Sequence, residues 1–115
     1  HAGELKLACV SCHAGAVKAE RAGFPKASFC QGCHAPLPAA AREIPSQRIY
    51  KLPDFVIFSH GRHANAKIEC ARCHGKVEER VELTLEVEPT MKACVDCHRQ
   101  AKATVVCTAC HELGQ

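Results

Sequence analysis

The chain of 115 residues has no tryptophan, one tyrosine, four phenylalanines and one methionine. Large side chains fill the interior of a small domain best, and a chain this short buries only a modest core even with them. A core built mainly from side chains is therefore excluded, and something else must fill the interior. Long apolar runs are missing too. The longest, Phe55-Val56-Ile57-Phe58, is strand-sized, against about 20 residues for a membrane-spanning helix. No basic segment followed by an apolar one opens the chain, so the expectation is a signal peptide already removed, with His1 as the mature start. The 15 Lys and Arg are dispersed among 12 Asp and Glu, with no basic run and no interleaved aromatics. That argues against nucleic acid as a partner.

What the chain does have is cysteine, ten in all, and every one falls in a pair followed at once by histidine. The five motifs are Cys9-Val-Ser-Cys12-His13, Cys30-Gln-Gly-Cys33-His34, Cys70-Ala-Arg-Cys73-His74, Cys94-Val-Asp-Cys97-His98 and Cys107-Thr-Ala-Cys110-His111. C-x-x-C-H is the attachment signature of c-type haem. Two thiols add across the two vinyl groups of one haem, and the next histidine ligates its iron from below. Zinc sites of four ligands would leave one pair orphaned and give the histidines no task. A thioredoxin-type motif would occur once, within a βαβ pattern that is not present. Disulfides likewise leave the histidines unexplained, and with no cysteine outside a motif none is expected. The reading is five covalently bound c-type haems, with proximal ligands His13, His34, His74, His98 and His111.

Five haems on 115 residues force the cofactors into near contact, with the polypeptide as a thin wrapping. Such an arrangement suits electron hopping and leaves little protein for a substrate pocket. The charge changes as well. Each haem carries two propionates against one net positive charge at ferric iron, so the formal +3 of the polypeptide falls to about −2 in the oxidised holoprotein.

The long gap between the second and third motifs divides the chain into a dihaem segment with its linker, 1–48, and a trihaem module, 49–115, expected to form one compact unit. Residues 36–48, with three prolines and an Ala-rich turn of helix, read as the linker. A helix is expected from about Cys12 to Ala22, ending at Gly23 with Pro25 beyond, and a second over about Lys92 to Ala101. Val81-Glu-Leu-Thr-Leu-Glu-Val-Glu88 alternates strictly and predicts a half-buried strand, paired with the apolar run at 49–58.

Residues 55–111 resemble the class III multihaem cytochromes c, the cytochrome c3 and c7 type. The resemblance is carried by Phe58-Ser-His60-Gly-Arg-His63 ahead of Cys70-Ala-Arg-Cys73-His74, followed by the closely spaced motifs at Cys94 and Cys107. It implies a small, mostly irregular multihaem cytochrome c fold with few short helices, a short antiparallel strand pair and a core formed by haems. It also implies that His60 is the distal ligand of the haem on Cys70 and Cys73, and that His63 serves the haem on Cys94 and Cys97. Met91, three residues before Cys94, stands where members of that family often carry a ligand for the last haem. The stretch from Cys9 to His34 is similar to a repeat in pentahaem subunits of membrane quinol-oxidising complexes, from which no ligand is carried over.

Five irons offer ten axial positions, and the proximal histidines fill half. The distal candidates are His1, His60, His63 and Met91, four for five irons. One haem in the region 1–35 is therefore expected to be open, water-bound or capped by a lysine such as Lys6, Lys18 or Lys26. The leading functional expectation is an electron carrier in the periplasm or outside the cell, working between redox protein partners or within a respiratory complex. The alternatives are a small reductase using an open haem, and a subunit of a haem filament, in which the chain assembles with copies of itself.

Overall fold

The computed structural model describes residues 1–35 and 47–112. Its helices are short: α1 (Cys9–Cys12), α2 (Ala27–Cys30), α3 (His60–Asn65), α4 (Ala71–His74) and α5 (Met91–Gln100). Single 3-10 turns stand at Ala14–Val17, Val77–Glu79 and Cys107–Ala109. The rest of the described chain is irregular.

α5, the longest helix, lies where the sequence places its second helix. Thr90 caps it by accepting a hydrogen bond from Ala93 N at 3.2 Å, the ordinary way to satisfy a free N–H in the first turn. At its far end Lys102 turns left-handed (φ 53°), and Ala103 N donates back to the carbonyl of His98 at 2.8 Å.

The expected helix from Cys12 to Ala22 does not form. α1 stops at Cys12, the backbone turns at His13 (φ −104°, ψ 55°), and a 3-10 turn follows. The chain then folds back on itself, with Gly15 N donating to the carbonyl of Ala22 at 3.1 Å. Gly15 permits this return. A Cβ there would collide with the carbonyl oxygens of Arg21 and Ala22. A close backbone approach outweighs the helical propensity of the alanines around it.

The expected strand pair is absent as well. Among the described residues the sole ladder contact is an isolated antiparallel bridge between Val56 and His111. Val56 thus pairs with the last haem motif rather than with 81–88. The alternating stretch forms no ladder, and the backbone N–H groups of Glu86 and Val87 donate to the Tyr50 hydroxyl at 3.1 and 3.3 Å. Glu86 also meets Arg80 at 2.6 Å. Side-chain partners have replaced a ladder, and Val81 is left fully exposed. Tyr50→Phe removes the shared acceptor, so Glu86 and Val87 amides are expected to exchange with solvent faster, with a stability loss of about 1 kcal/mol. Amide exchange by NMR reads both.

The expected linker, 36–48, falls almost wholly outside the described residues.

The polypeptide has almost no interior. Among the described residues only Gly61 is buried. The chain exposes 9652 Å², where a folded monomer of this mass exposes about 6,100 Å². Leu5, Phe24, Phe29, Phe55, Met91 and Val106 all keep more than half of their surface exposed. Among the described residues the polypeptide withdraws little apolar surface from water by itself.

One junction is well defined. The carbonyls of Glu20 and Ala19 accept from the first N–H groups of α3, His60 N at 3.1 Å and Gly61 N at 2.9 Å, while Ser59 Oγ accepts from Arg62 N at 3.3 Å. Three of the four donors that a helix start leaves free are thereby satisfied, two of them by the N-terminal segment. That segment is docked against the helix carrying His60 and His63.

Candidate haem-binding site

Four of the motifs share one local geometry. His13 N, His34 N, His74 N and His111 N each donate to the carbonyl of the first cysteine of their motif at 2.9 Å. The fifth, Cys94 to His98, lies within α5. A helical turn puts positions i, i+3 and i+4 on one face. Both sulfurs and the imidazole of each motif are thus offered to one side, as a ring held at two edges and ligated at its centre requires. All ten sulfurs are free of disulfides.

The motifs also neighbour one another. Burial pushes the Cys70 thiol above its ordinary range, and the adjacent Cys9 thiol adds to the shift by charge repulsion and a hydrogen bond. Cys73 is raised by burial and then by Cys97 and Cys94, and Cys94 by burial and then by Cys110 and Cys97. The first motif stands beside the third, the third beside the fourth, and the fourth beside the fifth.

The histidine rings meet in pairs. His60 and His74 face each other with centroids 6.2 Å apart and planes within 8°. His63 and His98 are 6.0 Å apart at 40°, and His1 and His34 are 5.8 Å apart at 85°. Two imidazoles holding one metal from opposite sides, each by a nitrogen about 2.0 Å away, have centroids about 6.3 Å apart whatever the angle between their planes. Each pair joins one motif histidine to one histidine from outside the motifs. His13 and His111 have phenylalanine neighbours instead, Phe24 at 5.9 Å and Phe55 at 5.7 Å.

Four of the imidazoles have their other nitrogen occupied. Nδ1–H of His13 donates to the carbonyl of Gly23 at 2.6 Å, His60 to Glu20 at 2.8 Å, His63 to Ser59 at 2.8 Å and His98 to Thr104 at 2.6 Å. Such a bond fixes the tautomer, turns the ring and leaves Nε2 with a free lone pair, as in ligating histidines generally. Burial lowers the pKa of His74, and the neighbouring His60 and His13 lower it further. Its imidazole is kept neutral, the form that binds iron.

Taken together, these features fit haem. Three motif histidines each have a histidine from outside the motifs at a centroid spacing that would admit one metal between them. Among the described residues no three His, Cys, Asp or Glu side chains converge on one point, as a zinc site would need.

The remaining candidates are less engaged. Met91 opens α5 with 67% of its surface exposed. Lys6, Lys18 and Lys26 are exposed, Lys6 in the left-handed region (φ 52°).

Sequence reasoning missed the supporting groups. The carbonyls of Gly23, Glu20, Ser59 and Thr104 carry no side-chain signal at all. Tyr50, whose ring lies 4.6 Å from that of His74, had one: it is the only tyrosine. Phe58 packs against His60 and His63 at 4.8 and 4.6 Å, which the F-x-H-x-x-H spacing foreshadows.

Residues 56–112 match the family model for cytochrome c7 and related cytochrome c. The matched stretch, nearly half of the chain, takes in α3, both of its histidines and the last three motifs. It is similar to a class III-type multihaem cytochrome, and that likeness supports electron transfer through haem iron rather than catalysis. No curated protein matches the chain. No helix among the described residues is long and apolar enough to cross a membrane.

Proposed function

We propose that the chain is a pentahaem c-type cytochrome that passes single electrons between redox partners. The observation that carries this reading is the set of three facing imidazole pairs, each containing the histidine of a C-x-x-C-H motif and each spaced for one iron between them. When bound, haem supplies reversible one-electron chemistry. The chain's own residues do the rest. The ten cysteines would hold the rings, His13, His34, His74, His98 and His111 would be the motif ligands, and His60, His63 and His1 would be the second ligands at the irons of His74, His98 and His34. The carbonyls at 20, 23, 59 and 104 hold imidazoles in the ligating tautomer. Motif adjacency would set the order of the haems, the first beside the third, then the fourth and the fifth, a spatial order different from the chain order. The dihaem segment 1–48 and the trihaem module 49–115 then work as one unit, joined where Ala19 and Glu20 cap α3.

Export is part of the proposal, since disulfide-free cysteines dedicated to haem belong to a chain matured outside the cytoplasm. Its partners are redox proteins, a respiratory complex or further copies of itself. Stepwise reduction followed by mixing with a redox dye tests the carrier role. Rapid, reversible exchange of five electrons per chain is expected, and irreversible or single-electron behaviour overturns it.

Two variants probe the ligands. His1→Ala is expected to convert the iron of His34 from low to high spin and to add one carbon monoxide site per chain, read by the reduced-minus-carbonyl spectrum. Met91 is proposed opposite His111. Thioether ligation raises the potential of haem iron relative to two imidazoles, so Met91→Ala is expected to shift the highest-potential wave in voltammetry and leave the others in place.

The reductase reading has one observation in its favour, the absence of a facing imidazole at His13 and at His111. Turnover of nitrite or hydroxylamine at about 1–10³ s⁻¹, the ordinary range of enzymes, would establish it.

A further inference from the structure

The ring pairs decide which iron lacks a ligand. The chain has eight histidines. Six are used in the pairs His1–His34, His60–His74 and His63–His98, which leaves His13 and His111, each the proximal histidine of its own motif. The residues outside the described ones, 36–46 and 113–115, contain no histidine, methionine, lysine or cysteine. Met91, at the start of α5 with Cys94, belongs to the trihaem half, and the Cys94 thiol is adjacent to that of Cys110 in the motif of His111. No second thioether is left for His13.

His13 is nevertheless prepared to ligate. Its Nδ1–H is tied to the Gly23 carbonyl at 2.6 Å, and the return of the loop through Gly15 and Ala22 holds that carbonyl in place. The ring beside it, Phe24 at 5.9 Å, offers no lone pair. Lysine is a poor substitute, because at neutral pH only about one ordinary lysine in 2,500 is deprotonated.

We propose that the haem held by Cys9, Cys12 and His13 keeps one axial face for an exogenous small neutral ligand of ferrous iron, a diatomic gas being the class that such an iron takes. The site rests on the pentahaem reading and adds to it. The same motif stands next to that at Cys70, so the binding face would lie at the first station of the proposed electron path.

The wild-type holoprotein provides the test, with carbon monoxide as the probe. Ferrous iron between two strong ligands is diamagnetic, whereas five-coordinate ferrous iron is paramagnetic. In the fully reduced chain, NMR resonances of His13, Gly23 and Phe24 are therefore expected to be shifted and broadened. One equivalent of carbon monoxide should return them to sharp, diamagnetic positions. Undisturbed resonances at those three residues, or carbon monoxide binding that leaves them unchanged, overturn the assignment. An intact mass spectrum of the same sample separates the two claims. Five haem additions without a carbon monoxide response at His13 leave the pentahaem reading standing and remove only the open site, whereas fewer additions remove the reading itself.

Discussion

His60→Ala and His63→Ala are each expected to turn one low-spin haem high-spin, and not the same one. The two side chains leave α3 three residues apart, one meeting His74 at 6.2 Å and the other His98 at 6.0 Å. Each is fixed by a separate carbonyl, Glu20 for His60 and Ser59 for His63, so removing one imidazole leaves the other oriented. With four low-spin irons expected in the wild type, each single variant should lose about a quarter of the low-spin signal and gain one carbon monoxide site per chain, and the double variant should lose about half. Non-additive loss would mean that both histidines serve one iron. A low-spin count unchanged from the wild type in both variants would remove α3 as a source of ligands. Electron paramagnetic resonance of the oxidised protein reads the count directly.

Gly61→Val should do comparable damage without touching a ligand. Gly61 is the one buried residue among those described. A Cβ at that position meets Ala19 N, Ala19 O and the carbonyl carbon of Lys18, each at 3.3 Å. All three are backbone atoms and cannot swing away as a side-chain end could. Alanine demands a shift of a few tenths of an ångström, and the two further methyl groups of valine demand more. Overpacking of this kind costs about 1–3 kcal/mol. The strain falls on the hydrogen bonds from His60 N and Gly61 N to Glu20 and Ala19, and with them on the carbonyl that orients the His60 ring. The expected result is a high-spin fraction at the iron of His74, a lowered unfolding temperature, and a smaller effect at the iron of His98, whose ligand His63 is fixed within α3 itself. Gly61→Ala should lie between wild type and valine. Equal loss at both irons would indicate that the whole helix has detached.

How much of this was readable beforehand depends on the range of the force involved. The five motifs were plain because covalent attachment dictates spacing within five residues, and each motif folds as one local turn. α5 was plain because its cap at Thr90 is local too. The failures are all long-range. The alanines after Cys12 promise a helix, but Gly15 meets the carbonyls of Arg21 and Ala22, and nothing local announces that encounter. The alternation of 81–88 promises a strand, but a strand needs a free edge, and Val56 had already bridged to His111. Two backbone donors of the stretch settle on the Tyr50 hydroxyl instead.

The candidate site divides in the same way. The resemblance named His60 and His63 with their motifs, while His1 stood as a candidate for either N-terminal haem. Only the fold brings its ring to 5.8 Å from His34. Two residues on, Gly3 lies close against the backbone of Glu78, a contact across 75 positions of sequence. The carbonyls that orient the imidazoles were invisible for a simpler reason, since every residue has one.

A pentahaem carrier of this kind requires five haems held by ten thioether bonds. Intact mass spectrometry of the denatured protein, after acid–acetone extraction to remove any haem not covalently bound, measures this directly. Five haem additions to the 12.4 kDa polypeptide with no alkylatable thiol left are the expected result. Fewer than five additions, or free thiols at any of the ten cysteines, would contradict it.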